Sequence, residues 1–188
     1  MDDSICASYN TAGKGEIMFD DLLPIPKNLS SGFTNVFSRF EFALKDSGFA
    51  TGGLGRVEPN WDAFALNIAD KFDDLRDTRF REAVIYLVTS PPRKQALNHG
   101  MIVWRDSPPD ARLRASVQAL LMVRRVRNNL FHGAKVWLPD GDWGRERNEK
   151  LVKDSLAVLL ACLPLNPYVD MSFGYYFDKD DPLSKLVA

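Results

Sequence analysis

Arg127, Asn128 and His132 fall in the run Arg127-Asn128-Asn129-Leu130-Phe131-His132, followed at once by Gly133. His132 is one of only two histidines in the chain. Histidine is the side chain that both takes and gives a proton near neutral pH, and an arginine beside it can hold a phosphate. Asn128 precedes His132 by about one helical turn, so the two share a face. Arg127 lies about 140° around from His132 at 3.6 residues per turn, and its long side chain can swing toward the same helix end. The negative end of the helix favours an imidazolium at His132, whereas the neighbouring arginines oppose it.

Several chemistries are disfavoured by residue type. Metal-assisted hydrolysis wants clustered His, Asp and Glu ligands, and none cluster in the sequence; neither a metal nor another cofactor is expected. Cys6 and Cys162 sit in no local nucleophile or C-x-x-C signature and read as two free thiols. The glycine-rich stretches Gly13-Lys14-Gly15 and Thr51-Gly52-Gly53-Leu54-Gly55 lack the Gly-Lys-Ser/Thr of a phosphate loop and read as loops. RNA, by contrast, carries its own nucleophile, the 2′-hydroxyl. A protein that removes that proton, steadies the charge on phosphorus with arginine and protonates the leaving 5′-oxygen needs no metal. One histidine does not easily act as base and acid together; two chains with their helix ends facing each other would supply both.

Arg112, Arg114, Arg124, Arg125, Arg127 and Lys135 lie in a stretch with no acidic residue between Asp110 and Asp140. Arg124, Arg125 and Lys135 are therefore the candidate contacts to an RNA backbone. Glu41, beside the apolar stripe of an earlier helix, is either an orienting partner for Arg127 or His132 or a residue at the solvent edge. His99 has no partner in the sequence and reads as a turn residue. Trp61, Trp104, Trp137 and Trp143 read mostly as core, with Trp137 and Trp143 flanking the loop after the motif.

The R-N-x-x-x-H run resembles the signature of the HEPN superfamily, and Phe37-Ser38-Arg39-Phe40-Glu41-Phe42-Ala43-Leu44-Lys45 resembles the first helix of its domains. The resemblance implies an all-α helical bundle with a composite site in a homodimer cleft, built from the Arg and His of both protomers. It implies metal-independent endoribonuclease activity that leaves a 2′,3′-cyclic phosphate, with Arg127, His132 and Asn128 catalytic. It also suggests a toxin or anti-phage defence effector with an antitoxin or regulatory protein as partner. One branch of the family has tyrosine two places after the histidine; here that place is Ala134, so control by nucleotide addition to that tyrosine is not expected.

The elements that must position these residues follow from periodicity. Residues 1–30 read as an irregular arm that docks through Ile17, Phe19, Leu22 and Leu23. A helix from Ser30 or Ser31 carries Phe33, Val36, Phe37, Phe40 and Leu44 to a stop at Gly48. A second starts at Asn60 and runs to Leu75 with Trp61, Phe64, Ala65, Ile68 and Phe72 on one stripe. A third spans about Arg79 to Val88, ending before Pro91-Pro92. Met101 to Trp104 is either a short extended segment or a packed turn. Ser107-Pro108-Pro109-Asp110 reads as the start of the motif helix, which runs to Phe131. A last helix covers about Arg145 to Leu163. These make a bundle of four to five helices over 31–163, followed by an aromatic tail, 164–188, packing on the bundle or on a second subunit.

At 188 residues, 45% hydrophobic and 26% charged, the chain suits one globular domain. Its 24 Lys+Arg against 25 Asp+Glu leave a net charge of −1, so any nucleic acid must be held by a local patch. The acidic start and the lack of a membrane-length apolar run place it in the cytoplasm, away from membranes. The alternative reading is a non-catalytic HEPN-like module that binds RNA or protein as an adaptor; a nucleotide-binding regulator is a third.

Overall fold

Helix α1 opens the structure, a computed structural model describing residues 24–131, 144–174 and 182–187. It spans Lys27–Asp46 and turns its buried face, Leu29, Phe33, Val36, Phe37, Phe40, Ala43 and Leu44, to the core. It starts before the serines that the sequence marks as caps. Ser30 N donates to Pro26 O at 2.9 Å as part of the first turn. The extra turn seats Ile25 and Leu29 in the core, and burying two such side chains is worth about 1.5–3 kcal/mol each, more than a cap contributes. Phe42, on the opposite face, stays exposed under the Arg39 guanidinium.

Two short antiparallel strands follow, β1 (Ala50–Gly53) and β2 (Arg56–Pro59). The stretch expected as a loop is thus a hairpin. Gly52, at φ +123°, faces Arg56 O so closely that no Cβ fits. Helix α2 (Trp61–Asn67) is capped by Asn60 Oδ1, which accepts from Ala63 N at 3.1 Å. The single helix expected here breaks at Ile68 and resumes as α3 (Ala69–Asp74). Helix α4 (Thr78–Thr89) is capped by Asp77.

Residues 94–105 form a second hairpin, β3 (Lys94–Asn98) against β4 (Met101–Arg105). Met101 to Trp104 is therefore the extended of the two expected alternatives. His99 and Gly100, both at positive φ, make its two-residue turn, the geometry favoured by the right-handed twist of paired strands. The expected helix start at Ser107 is absent. Instead 107–114 is irregular, with Arg112 clasping Asp110, and α5 runs only from Ala115 to Phe131. Gln118 Nε2 takes the Leu113 carbonyl at 2.7 Å, and Ser116 Oγ donates to Ala65 O, locking the start of α5 against α2.

Helix α6 (Arg145–Cys162) is buried on nearly every side and tightens into a 3₁₀ turn at Leu163–Leu165. The tail then forms α7 (Pro167–Phe173) and α8 (Pro182–Val187) rather than irregular chain. Phe173 packs edge-on to Phe40, and Arg39 Nε donates to Phe173 O at 2.8 Å, fastening α7 to α1. The architecture is mostly helical with two small two-stranded sheets, not purely α. Its core centres on α1, α5 and α6, with Trp61 stacked on Phe40 at 5.4 Å. Trp104, expected mostly in the core, is only partly buried, on the hairpin. Among the described residues no single helix is long and apolar enough to cross a membrane. The expected docking residues of the arm, Ile17, Phe19, Leu22 and Leu23, lie outside the described residues, as does most of the aromatic run after Phe173.

Candidate functional site at the end of helix α5

Helix α5 lies against α2, α3, α4 and α6, and its buried residues Ala119, Leu120, Met122, Val123 and Val126 define the inner face. The arginines on its other faces and in the irregular segment before it are treated very differently by the fold. Arg112 bonds Asp110, holding that carboxyl below the usual carboxylate range. Arg114 Nη2 meets Asp70 at 2.6 Å and Asp73 at 2.8 Å, both on α3; the Asp70 carboxylate raises its pKa. Arg124 faces Asp62 of α2 at 3.5 Å. The acid-free stretch of sequence is thus supplied with acids by its neighbours.

Arg125, expected at an RNA backbone, is turned inward in the structure. It is 7% exposed, and its Nη1 donates to Ser107 O and to Pro92 O, the latter at 3.2 Å. Burial lowers its pKa. An inward guanidinium tying two carbonyls together is a structural strut, because a buried charge persists only where hydrogen bonds replace its water. The two carbonyls stand at the two ends of the β3–β4 hairpin, so Arg125 holds the root of that hairpin closed.

The last turns of α5 continue the fastening. Asn129 Nδ2 donates to Arg93 O at 2.9 Å. From α6, Arg147 Nη2 reaches Pro91 O at 2.9 Å and Ser90 O at 3.2 Å. Between these groups Pro92, Val126, Asn129, Leu130, Asn148 and Leu151 line a small, shallow cleft open to solvent. Asn129 stood in plain view within the R-N-N run. Arg147 and the buried Asn148 carried no sequence signal beyond their place in an early helical turn.

Arg127 and Asn128 remain at the surface, partly buried and exposed respectively, with Arg127 Nη1 donating to Asn128 Oδ1 at 3.1 Å. The Arg127 guanidinium also lies 5.5 Å from the centre of the Phe37 ring on α1. Glu41, half-buried, follows Phe37 by one turn on the same helix. Glu41 thus lies one turn along α1 from the ring that Arg127 touches. His132 and Lys135 lie outside the described residues, together with Gly133, Ala134, Trp137 and Trp143. His99 sits at the hairpin tip and takes no part in the α5 end. Among the described residues no three His, Cys, Asp or Glu side chains gather as a metal site would require.

Chemically, this helix end presents a partly buried guanidinium that touches an aromatic ring and donates to the neighbouring amide. No protein-family model, curated protein or solved structure matches this chain.

Proposed function

We propose that the chain is a metal-independent endoribonuclease with a HEPN-like helical bundle, acting as a homodimer in which two α5 ends meet. The proton of an RNA 2′-hydroxyl passes to His132 of one protomer. The 2′-oxygen forms a bond to phosphorus, the bond from phosphorus to the 5′-oxygen breaks, and the leaving oxygen takes a proton from the other His132. The products are a 2′,3′-cyclic phosphate and a 5′-hydroxyl. Arg127 steadies the charge on the phosphoryl oxygens, and Asn128 positions one of the protons. Glu41 orients Arg127 from α1. A role as a toxin or defence effector, checked by an antitoxin or regulatory protein, suits such an activity.

The observation that carries this reading is the pairing of two motif residues at the end of α5, where Arg127 rests on the Phe37 ring and donates to Asn128 Oδ1 at 3.1 Å. Before them in sequence, carboxylates neutralise Arg112, Arg114 and Arg124, and Arg125 is buried. The decisive assay is RNA cleavage in EDTA by the wild type and by His132→Ala. Cleavage by the wild type alone, with cyclic phosphate at the new 3′ ends, is the expected result. Equal activity in the two proteins, or loss of activity on chelation, removes the mechanism.

The same neutralisation of Arg112, Arg114 and Arg124 favours a second reading, a non-catalytic adaptor, because paired guanidiniums grip RNA weakly. It predicts no cleavage by any preparation and unchanged partner binding by His132→Ala.

A further inference from the structure

The β3–β4 hairpin stands off the bundle. Its root is fastened by Arg125, Asn129 and Arg147, and among the described elements its strands contact chiefly each other. Leu97 and Ile102, directly opposite each other, are 75% and 68% exposed, and Met101 is 66% exposed. A two-stranded hairpin in water is marginal by itself, so a projecting one fits a surface that something else covers.

Strand alternation sorts its residues into two faces. Gln95, Leu97, Ile102 and Trp104 share one face; Lys94, Ala96, Asn98, Met101, Val103 and Arg105 share the other. On that second face Lys94 and Arg105 are direct cross-strand partners, both exposed. Neither side chain makes a hydrogen bond or ion pair among the described residues, and the face holds no carboxylate. Like charges placed directly opposite destabilise a hairpin. The neighbouring Arg93 is neutralised by Asp106 at 2.9 Å, so an acid is available at the root and is not used for this pair. Two unneutralised cations held side by side are matched by a polyanion whose charges are themselves closely spaced.

We infer that the Lys94/Arg105 face of the β3–β4 hairpin is a binding surface for the phosphate backbone of single-stranded RNA. This rests on the ribonuclease reading and deepens it. It supplies the cationic grip that Arg112, Arg114 and Arg124, each held by a carboxylate, do not. Val103 and Met101, running from the cation pair toward the tip, offer bases an apolar surface, and the Asn98 amide offers them hydrogen bonds. The duplex form fits poorly, since the major groove of A-form RNA is too deep and narrow for a ribbon to enter. The hairpin root is bonded to the last turns of α5 through Asn129, so a strand lying along the hairpin is led to the helix that carries Arg127.

The test uses the full chain bearing His132→Ala, so that RNA stays intact, and a fluorescent single-stranded RNA oligonucleotide titrated at several salt concentrations. Adding Lys94→Gln and Arg105→Gln lowers the slope of log affinity against log salt by about 1.4, at about 0.7 per phosphate contact in single strands. Affinity at 0.1 M salt falls roughly tenfold or more. The exchange Lys94→Arg with Arg105→Lys retains both values, and Leu97→Ser with Ile102→Ser on the opposite face leaves them unchanged. The thermal midpoint of the double Gln variant holds or rises, because a repulsive pair has been removed. An unaltered slope in that variant overturns the inference while leaving the nuclease intact. RNA binding lost only with the Leu97 and Ile102 changes, together with a change in oligomeric state, overturns it in favour of a protein-docking hairpin. A parent chain that neither binds nor cuts RNA removes the ribonuclease reading and this surface with it.

Discussion

The guanidinium of Arg127 lies 5.5 Å from the centre of the Phe37 ring, so the candidate catalytic arginine of α5 is seated on the aromatic row of α1. A cation over a ring is attracted by its quadrupole, worth about 0.5–1 kcal/mol at exposed sites. The contact limits where the guanidinium goes. Phe37→Leu keeps an apolar core residue but removes the ring face. It is expected to lower RNA cleavage several-fold through a misplaced arginine. Arg127→Ala is expected to lower it by about a hundredfold or more, the scale for losing a group that stabilises developing charge, with the thermal midpoint within a few degrees of wild type. Single-turnover cleavage assays alongside thermal melts check both; an Arg127→Ala protein that cuts normally contradicts the assigned role.

Arg124 and Arg125 are adjacent in sequence and opposite in consequence. Arg125→Met removes donors to Pro92 O and Ser107 O from a buried site. It should cost about 2–4 kcal/mol, the scale for unmaking buried hydrogen bonds to a charged group. Its first visible effect should be faster hydrogen exchange in 94–105, whose root it secures. Arg124→Met breaks a 3.5 Å surface pair with Asp62 and should change stability by less than about 1 kcal/mol. Chemical denaturation and exchange mass spectrometry of the two variants provide the comparison.

Asp154 is buried on α6 between Arg79 of α4, at 2.7 Å, and Lys150, at 3.1 Å. Lys150 also stands 4.3 Å from the Tyr86 ring. Removing one partner from a buried carboxylate costs about 3–5 kcal/mol. Arg79→Ala is expected near the lower end, since Lys150 remains. Replacing Arg79 and Asp154 together by Met and Leu should cost much less than Arg79→Ala alone, because no buried charge is left stranded and the half-exposed Lys150 can turn to solvent. A denaturation midpoint for the double variant below that of the single one would contradict this account.

Cys162 is fully buried in α6, and desolvation pushes its thiol pKa far above the ordinary value. The sign follows from proton binding. Above pH about 9 the unfolded chain loses the thiol proton while the folded chain keeps it. The folded state therefore loses stability at about 1.4 kcal/mol per pH unit beyond that point. Stability is fully present below the unfolded pKa. Cys162→Ala is expected to flatten the alkaline limb of the stability curve, measured by denaturant titration between pH 7 and 10.5. Native Cys162 should also resist an aromatic disulfide reagent until the chain unfolds.

What the sequence by itself determined was local. The stripes Phe33–Phe37–Phe40–Leu44 and Trp61–Phe64–Ile68–Phe72 specify helices and their buried faces, because side-chain periodicity is set within a turn or two. The placement of Arg127 and Asn128 near the end of a helix followed from the same pattern, and that helix reaches Phe131. Helix α7 was equally legible: Asn166 caps it, Pro167 opens it and Gly174, at φ +65°, ends it. The two hairpins were not legible by period, since their strands are exposed on both faces and need no apolar alternation.

Only the tertiary structure decided which charges are available. Asp62, Asp70 and Asp73 lie 41 to 62 residues away from the arginines they meet, and nothing in a local window tells which helix will lie beside which. The same holds for Arg125, whose neighbours in sequence are surface cations but whose position on α5 turns inward to the hairpin root. A residue's type and spacing settle what it can do. Whether its charge is spent inside the protein depends on packing between segments distant along the chain, where burial and counter-charge act through space.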